Sequence, residues 1–567
     1  MRQRRDARHA VALGVVAVAA TMLVAPAAQA ATLTVATASD TSASACTLRD
    51  AISSANGDAD SGQCVAADLP YGADSIEFDP AVTGTITLGS DLPEISDDLS
   101  IFGPGADQLA ISGNDARRVL SVQSFVPFDL SDLTIEHGKA PTTPGATNGG
   151  GIVTAGDTTL DGVIVKDNNA VLTGAPDGAA VDGGAIIASG TLTIIRSTIK
   201  DNHARISGSG AVTVLARGGA ISHQSGTLTI VQSTLSGNDA TATVTSPSGL
   251  SSTHGEGGAI YMDNTNVTFD RSTLSGNLAS ASGSTCVPCG FDINIARGGA
   301  YHENSQNKAF LAKGSTIAGN IVSSGSASGA GGANLSVSAF TASGGSAKLE
   351  DTIVANPIGA SNCSGADFPA MTSGGFNLEF PVSNASAGCL GSNAQSTDLE
   401  NVDPLLDPAG LANNGGPTQT IALLSTSPAI DQGKNFAVDP DDPDPDADQR
   451  DDDVDLPRIS DKPSLANAAG GDGSDIGAFE FQHDLTAPNT MIGSLSINHS
   501  TGKARIRFSS TEPGSTFSCK IDSKAFKACH SPVVYRHLKA GRHKFRVFAT
   551  DAAGNPDPAP AVKKFKV

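Results

Sequence analysis

Arginine and histidine residues recur through the middle of this sequence and could supply acid–base chemistry. Arg217 and Arg297 each precede Gly-Gly-Ala, whereas Arg196 and Arg271 each precede Ser-Thr. A lyase acting on uronates needs a base, often Arg or Lys, and a glycoside hydrolase needs two carboxyl groups roughly 5–9.5 Å apart. Histidines lie in the same region but at different points relative to these motifs: His137, His203, His223, His254 and His302. No catalytic residue can be assigned from this pattern, and most of these side chains are expected at the surface.

The elements that must position these side chains are repeats. A phrase beginning Gly-Gly, usually Gly-Gly-Ala, recurs at intervals of 34, 35, 39, 41 and 33 residues, which predicts a solenoid. Each unit holds three short apolar segments such as AIYM, NVTF and STLSGN, too short for helices and rich in β-branched residues. The prediction is an all-β, right-handed parallel β-helix with three strands per coil, which resembles the pectin-lyase-like solenoids. The repeats start at Gly149, Gly183, Gly218, Gly257, Gly298 and Gly331.

An asparagine follows the inward apolar residue near the end of each unit. If these residues align at one corner, their amides stack as a ladder that satisfies backbone groups of the turn. A row of binding residues is the alternative interpretation. Length varies mainly between this asparagine and the next Gly-Gly-Ala, which predicts variable loops, among them 241–253 and 280–295. The ladder is predicted to contain Asn168, Asn202, Asn238, Asn277, Asn320 and Asn356.

The N-terminus has the features of a secretory signal. Arginines at positions 2, 4, 5 and 8 precede the apolar run VALGVVAVAATMLVA and the small-residue ending APAAQA, which predicts cleavage after Ala30. The alternative is a permanent membrane anchor. No second apolar span follows, so the mature chain is predicted to be secreted or surface-located without a transmembrane helix.

The eight cysteines suit an oxidising compartment. Each has a near neighbour in sequence, which predicts four local disulfides. The Cys-Val-Pro-Cys segment could also be a redox or half-zinc motif, although no βαβ pattern or second ligand pair accompanies it. The predicted pairs are Cys46–Cys64, Cys286–Cys289, Cys363–Cys389 and Cys519–Cys529.

Charge divides the chain into two parts. The net formal charge is -22, but the residues from Leu485 onward contain 14 Lys and Arg against 4 Asp and Glu, a net of +10. Strand-like segments there, with frequent turns, predict a small β-sandwich. Its positive charge either holds the domain near an anionic polymer or is simply solvated. The predicted organisation is a signal peptide at 1–30, a β-helix at 31–482, a linker at 483–490 and a sandwich at 491–567.

Several motifs resemble those of known exported families. CTLRDAISSAN from Cys46 resembles the CSLREA motif of secreted bacterial β-helix proteins, and the GGAI and STLSGN repeats resemble those of polymorphic outer-membrane proteins. NNGGPTQTIALLSTSPAIDQG and DIGAFEF resemble the choice-of-anchor Q module, which implies that module at about 361–482. The predicted β-helix also has an N-terminal cap at about 31–100. The C-terminal part resembles bacterial immunoglobulin-like (Ig-like) domains. These resemblances imply export and architecture, but no agreed activity.

An acidic run, DPDDPDPDADQRDDDVD, is the one candidate for a cofactor site. Several carboxylates on a flexible loop could bind calcium through Asp446, Asp448, Asp451 and Asp453, although the spacing is not that of an EF-hand. A solvated acidic loop is the alternative. No other cofactor is predicted.

Two function classes remain open at this stage. The first is an adhesive or carbohydrate-contacting β-helix protein whose partner is a surface polysaccharide or a host-cell glycan, and not a nucleic acid. The second is a polysaccharide lyase or glycoside hydrolase. Acidic or basic residues aligned on three neighbouring coils in a groove would favour the enzyme, whereas a flat Ser-, Thr- and Asn-lined face would favour binding.

Overall fold

The computed structural model describes residues 31–567 except 68, 70, 143–146, 211, 246–250, 284–292, 305–307, 326–329, 338–345, 364–370, 383–387, 437–459, 462–464, 483, 485 and 552–553. The predicted signal peptide therefore lies outside the described residues. So do Cys286, Cys289 and the four aspartates proposed for calcium.

Most of the chain forms a parallel β-helix, which confirms the predicted fold class. Its first wall is a parallel sheet in which each strand pairs with its counterpart one coil later, as Val267 does with Phe310. The main strands of this wall are Thr32–Val35, Asp74–Phe78, Leu99–Phe102, Phe128–Ser131, Thr158–Asp161, Ile186–Ile195, Ile221–Val231, Thr265–Asp270, Ala309–Lys313, Ser346–Glu350 and Thr372–Gly375. A shorter row, the entry strands, pairs within the same sheet, and all but the first of these strands follow the Gly-Gly turns of the repeats: Leu120–Ser121, Ile152–Thr154, Ile260–Met262, Tyr301–Glu303 and Leu335–Val337.

The second wall follows the first after a sharp corner. Its middle strands each contribute one central apolar side chain to the core, such as Ile199, Leu235 and Leu274, all fully buried. Burial of each Ile, Leu or Val side chain in such a stacked row stabilises the fold by about 1.5–3 kcal/mol. The strands are Gly84–Thr87, Leu109–Ser112, Thr134–Glu136, Ile164–Lys166, Thr198–Lys200, Thr234–Ser236, Thr273–Ser275, Thr316–Ala318, Ile353–Ala355, Leu378–Phe380 and Leu399–Glu400.

The central coils contain more than the three predicted strands. The chain between the ladder asparagine and the next Gly-Gly-Ala forms two further strands, which build a fin of two parallel sheets packed on each other through small side chains such as Ala204, Ala240 and Ala242. The predicted loops 241–253 and 280–295 thus include strand residues, because alternating Ala, Ser and Thr can pair across coils. The leading fin sheet comprises Asn169–Ala175, His203–Ser209, Asp239–Thr245, Leu278–Gly283 and Ile321–Ser324, and the trailing fin sheet comprises Ala179–Asp182, Thr213–Arg217, Ser252–Glu256 and Ile293–Arg297.

The Gly-Gly-Ala motif forms the turn from the fin to the entry strand. Gly257 has a φ of +65°, and a Cβ there would lie 2.1 Å from the carbonyl oxygen of Ile260. A Cβ on Gly258 would lie 2.1 Å from the carbonyl oxygen of Gly299 in the next coil. The first position therefore needs the left-handed conformation, and the second needs the absence of a side chain so that coils can stack.

Stacked asparagines line the corner between the second wall and the leading fin sheet. Asn238 Nδ2 donates to the carbonyl of Ile199 (3.0 Å) and to Oδ1 of Asn277 (2.9 Å), and the backbone N–H of Asn238 donates to the same Oδ1 (3.1 Å). The side chains are fully buried. Equivalent hydrogen bonds link Asn168, Asn202, Asn238, Asn277 and Asn320 in sequence.

The sixth predicted member of this ladder was wrong. Asn356 is exposed and has a φ of +51°. Asn320 instead donates to Oδ1 of Asn334 at 2.8 Å, and Asn334 donates to Oδ1 of Asn362 at 2.8 Å. Asn334 directly follows the last Gly-Gly-Ala and reaches the same corner from the other side of the coil. The ladder therefore continues through an asparagine that occupies a different position in its repeat.

A second ladder explains the serine of the repeated Ser-Thr pair. The hydroxyl of Ser233 donates to the carbonyl of Val231 (2.7 Å) and accepts from the backbone N–H of Ser197 (3.0 Å) one coil earlier. Ser272 takes the same role one coil later, accepting from the N–H of Ser233 at 3.2 Å. These serines are fully buried at the corner between the two walls.

A ten-residue helix, Leu48–Gly57, lies within the segment CTLRDAISSANG and packs against the first strands. The Thr47 hydroxyl caps its N-terminus by accepting from the N–H of Asp50, while Leu48 and Ile52 enter the main core. Cys46 and Cys64 form a disulfide with a Cα–Cα distance of 4.5 Å beside the helix. The helix therefore adds apolar cover to the N-terminal coils.

Residues 406–436 and 465–482, here called the strap, lie along the outer face of the second wall. Thr234 Oγ1 donates to the carbonyl of Gln419 at 2.6 Å, and the N–H of Ala478 donates to Thr316 Oγ1 at 3.0 Å. The strap contains the antiparallel strands Leu406–Ala412 and Thr420–Leu423. A short 3₁₀ turn, Gly391–Asn393, precedes it. The apolar residues of the strap pack with Ala318, Ile353, Ala355 and Leu378 of the second wall. These strap residues are Ile421, Leu423, Ala429, Ile430, Ile476 and Phe479.

The C-terminal domain consists of two antiparallel sheets that pack as a small β-sandwich. Its first strand begins at Thr490, one residue before the predicted boundary, and its core includes Ile506, Phe508, Phe545 and Val547. One sheet comprises Thr490–Asn498, Lys503–Ser510 and Val533–Tyr535. The other comprises Lys527–Cys529, Thr516–Ile521, Arg542–Thr550 and Ala561–Lys566 in spatial order.

Candidate functional site

A row of alternating charges runs across four neighbouring coils of the trailing fin sheet. Asp182 pairs in register with Arg217, Arg217 with Glu256, and Glu256 with Arg297. Each of these residues directly precedes a Gly-Gly-Ala turn. Equivalent residues on adjacent coils are about 4.8 Å apart along the solenoid. The row therefore presents acid, base, acid and base at a regular spacing, and we call it the charged row.

Arg217 is held from two sides. Its Nε lies 2.9 Å from Asp182 Oδ1, and its guanidinium carbon lies 5.1 Å from the centre of the Tyr261 ring. Burial alone would lower the pKa of Arg217, but Asp182 and Tyr261 outweigh it and raise that pKa further. Burial raises the pKa of Asp182 despite the arginine beside it. Arg217 is thus a fixed cation and cannot serve as a base near neutral pH.

Glu256 is an ionised carboxylate in this row. Burial by itself would raise its pKa, but the hydrogen bond with His254 and the interactions with His302 and Arg297 lower the pKa to about 2. His254 Nδ1 lies 3.3 Å from Glu256 Oε1, and His254 Nε2 lies 2.9 Å from the Ser252 hydroxyl. A carboxylate with so low a pKa is neither a general acid nor an effective general base near pH 7.

A second row faces the charged row across the Gly-Gly-Ala turn. Ile187 and Ser222, at the starts of two main strands, are paired in register with Tyr261, His302 and Ser336 on the entry strands. Their side chains point away from the main core. Tyr261 is nevertheless only 2% exposed and His302 only 1%. The fin and the entry strands must therefore meet at a concave corner, because Arg217 and Glu256 cover the second row.

Tyr261 and His302 form the aromatic part of this corner. Their ring centres are 5.9 Å apart, and His302 Nδ1 lies 3.1 Å from the carbonyl and hydroxyl oxygens of Ser336. Burial lowers the pKa of His302, which keeps the imidazole neutral near pH 7. Tyr261, His302 and Glu256 are therefore buried against one another, and the partly exposed groups at this corner are Asp182, Arg217, His254 and Arg297.

Acidic and basic residues are aligned on more than three neighbouring coils, as an enzyme would require. These residues do not, however, form a general acid and a general base. The two carboxylates stand on alternate coils with Arg217 between them, and each is paired with a basic side chain. Sequence reasoning noted Arg217 and Arg297 but missed Asp182. The detectable pattern was the alternation of charge at the position before each Gly-Gly-Ala.

The other predicted candidates do not come together. Arg196 pairs with Asp161 at 2.6 Å on the outer face of the first wall, and His137 lies 3.5 Å from Asp115. His203 and Arg205 both contact Asp239 on the leading fin sheet. Arg271 is 2% exposed, 3.3 Å from Asp270.

His223 points into the interior rather than toward solvent. It is fully buried, its Nδ1 lies 3.1 Å from the Thr265 hydroxyl, and burial lowers its pKa to about 4. Met262 occupies the matching position one coil later, and Glu303 the next. His223 is thus a core residue, and its neighbours give it no route to a substrate.

Three of the four predicted cysteine pairs are bonded. Cys363–Cys389 has a Cα–Cα distance of 5.2 Å and joins the last coils, and Cys519–Cys529 at 6.0 Å joins neighbouring strands of the sandwich. The first disulfide is the one beside the N-terminal helix. The fourth predicted pair lies outside the described residues.

One carboxylate cluster was not predicted. Oxygens of Asp484, Glu512 and Asp551 lie within 4.8 Å of one another at the edge of the C-terminal domain. Burial and the two neighbouring aspartates raise the pKa of Glu512. Such a group could hold a hard cation, although exposed acidic groups of this kind are common without one. The calcium site predicted for the acidic run is a different site.

Comparison with known proteins adds no family to these observations. No protein-family model, curated protein or solved structure gives a significant match. Among the described residues, no helix is both long and apolar enough to cross a membrane.

Proposed function

We propose that this protein is an exported, surface-located or extracellular β-helix protein that contacts carbohydrate at the concave corner between the fin and the entry strands. The observation that supports this proposal most strongly is the charged row, in which Asp182, Arg217 and Arg297 remain partly exposed beside the buried Tyr261 and His302. Fixed, mutually paired charges offer hydrogen-bond donors and acceptors in a set order without an acid–base couple. A polymer running along the solenoid would meet the same kind of contact on successive coils.

Several observations support export. The N-terminal residues have the order of a secretory signal, and the CSLREA-like, outer-membrane-repeat-like, choice-of-anchor-Q-like and Ig-like segments resemble parts of exported bacterial proteins. Disulfides persist in oxidising compartments, and three are present here. Adhesion by weak repeated contacts would gain strength through effective concentration.

The alternative function is a polysaccharide lyase or glycoside hydrolase acting at the same corner. The observation that favours it is the alignment of Asp182, Arg217 and Glu256 on successive coils. An enzyme would require one of these groups to leave its ion pair when substrate binds.

A glycan-array screen of the secreted, disulfide-bonded protein tests both functions when it is run with assays for reducing sugars and unsaturated uronates. The proposed function predicts binding to a defined set of glycans with no turnover of those glycans. Turnover that is lost in Glu256→Gln, with an unchanged circular dichroism spectrum, would establish the enzyme instead. Failure to bind any glycan would contradict the proposal.

A further inference from the structure

Six cationic side chains project from the outer face of one sheet of the C-terminal domain. In the strand Arg542–Thr550, Phe545, Val547 and Ala549 are buried, so the residues between them face outward. The neighbouring strands Thr516–Ile521 and Ala561–Lys566 add cations to the same face through their cross-strand register. This cationic face consists of Lys520, Arg542, Lys544, Arg546, Lys564 and Lys566.

The cations of this face stand directly opposite one another. The cross-strand pairs are Arg542 with Lys566, Lys544 with Lys564, and Lys520 with Arg546. Like charges directly opposite in an antiparallel sheet destabilise it, whereas opposite charges stabilise it. The pKa of Lys544 is lowered, chiefly by Arg546 and further by Lys564 and Lys520. Three such pairs on one face oppose folding, which is unexpected for a face that is only solvated.

The domain does not neutralise this face internally. From residue 485 onward the sequence has four Asp and Glu side chains, and only Asp522 borders the face. Its oxygens accept from the N–H of Lys544 (2.9 Å) and contact His543 Nδ1 (2.8 Å). Glu512 and Asp551 belong to the carboxylate cluster at the domain edge, and Asp557 accepts from the N–H of Thr490. The positive potential of the face is therefore available to a ligand.

Two aromatic rings flank the cations. The Nζ of Lys520 lies 4.4 Å from the centre of the Phe526 ring, and Phe526 packs edge-on against Phe548 at 5.0 Å. Both rings are half-buried. They can contact the apolar face of a sugar, but their perpendicular arrangement does not form the parallel stacking platform that successive nucleic-acid bases use. Cations at alternate positions of a strand stand about 6.8 Å apart, and this regular spacing suits an extended ligand chain.

We propose that this cationic face is a docking surface for a linear acidic polysaccharide whose carboxylates pair with the lysines and arginines. The site goes beyond the function proposed above, because it lies on a different domain and would bind an anionic polymer. It would attach the protein to an acidic matrix and leave the β-helix corner available for its own ligand.

The test compares two triple variants of the full-length mature protein that have the same net charge. Lys544→Gln, Lys564→Gln and Lys566→Gln remove half of the cationic face. Lys503→Gln, Arg505→Gln and Arg507→Gln remove three cations from the outer face of the opposite sheet. Binding to immobilised polygalacturonate is measured at several salt concentrations, with uncharged dextran as the blank. Anionic phospholipid vesicles and duplex DNA are competitors.

The wild-type protein should bind polygalacturonate with an affinity that falls as salt rises. The first triple variant should lose on the order of 10- to 100-fold in affinity, with a weaker salt dependence, and the second should lose less than about 3-fold. The melting temperature of the first triple variant should not fall, because its substitutions remove like-charge pairs. Equal losses in both variants, no binding by the wild type, or stronger competition by vesicles or DNA than by free polygalacturonate would overturn the proposal.

Discussion

The ladder asparagines each satisfy groups on two neighbouring coils, so a single substitution affects both. Asn238→Ala would leave the carbonyl of Ile199 and the N–H of Asn202 without their side-chain partners. Each unsatisfied buried group costs about 1–3 kcal/mol, so we expect the two groups together to cost roughly 2–6 kcal/mol in the free energy of unfolding. Denaturant unfolding measures this. Asn356→Gly is the control, since Asn356 is exposed and Gly accepts its positive φ, and a comparable loss in the control would refute the ladder's role.

Glu256 makes a pH-dependent contribution to stability. Its pKa in the folded protein is about 2, below its ordinary value of 4.5, so its stabilisation is present above about pH 4.5 and is lost as the pH falls toward 2. The full contribution is of order 3 kcal/mol. We expect Glu256→Gln to be less stable than the wild type at neutral pH, with the difference shrinking between pH 4.5 and 2. Thermal unfolding across this range tests the sign, and a difference that does not change with pH would contradict the low pKa.

The residues that could be predicted are those whose role repeats at one position. Asn168 to Asn320 keep the same place in each unit, and so their stacking follows from the period. Asn334 does not, because it reaches the corner from the start of its unit. The alignment of Asp182, Arg217 and Glu256 could not be predicted, because it depends on the register between coils. That register is fixed by fin strands that the sequence did not reveal.

At the scale of elements, the strap stabilises the β-helix by covering the outer face of the second wall. Ile421 is 6% exposed within this interface, whereas Leu424, three residues away, is 40% exposed. We expect Ile421→Ala to lower the free energy of unfolding by about 2–5 kcal/mol, through lost transfer energy and a cavity. Leu424→Ala should cost much less. Equal effects in urea titrations of the two variants would show that the strap does not pack as described.

The N-terminal disulfide restrains a short segment that contains the helix. Cys46 and Cys64 are 18 residues apart, and a loop of that length gains about 3 kcal/mol in the entropic model. The double variant Cys46→Ser and Cys64→Ser should therefore melt at a lower temperature than the wild type under non-reducing conditions. Under reducing conditions the two proteins should converge. A persistent difference would point to packing of the cysteines rather than to the covalent link.

Parallel walls were predictable from short apolar segments separated by Gly, Asn and Ser, but the fin was not. Ala240, Ala242 and Thr241 alternate too weakly in hydrophobicity to identify a strand, and the length between the asparagine and the next Gly-Gly-Ala varies from coil to coil. Pairing with the adjacent coil decides the structure there. The packing of the strap on the second wall could not be predicted for a related reason, because its partners Thr234 and Thr316 lie more than 150 residues earlier.

At the scale of the whole molecule, the chain combines an acidic β-helix with a basic sandwich. The residues before Leu485 have a net charge of -32, and those from it onward +10, which together give the total of -22. An acidic β-helix repels acidic polymers, whereas the basic domain attracts them. The two surfaces are therefore expected to bind different ligands, a neutral or zwitterionic glycan at the corner and an acidic one at the cationic face.

The most direct test of carbohydrate contact at the corner is the affinity of two charge-matched double variants for the best glycan from the array. Glu256→Gln with Arg297→Gln removes one acid and one base from the charged row, and Asp161→Asn with Arg196→Gln removes the same charges from the first wall. We expect a loss of at least about tenfold in the first variant, equivalent to about 1.4 kcal/mol, and little change in the second. Unchanged affinity in the first variant, or equal losses in both, would show that carbohydrate does not bind at the charged row.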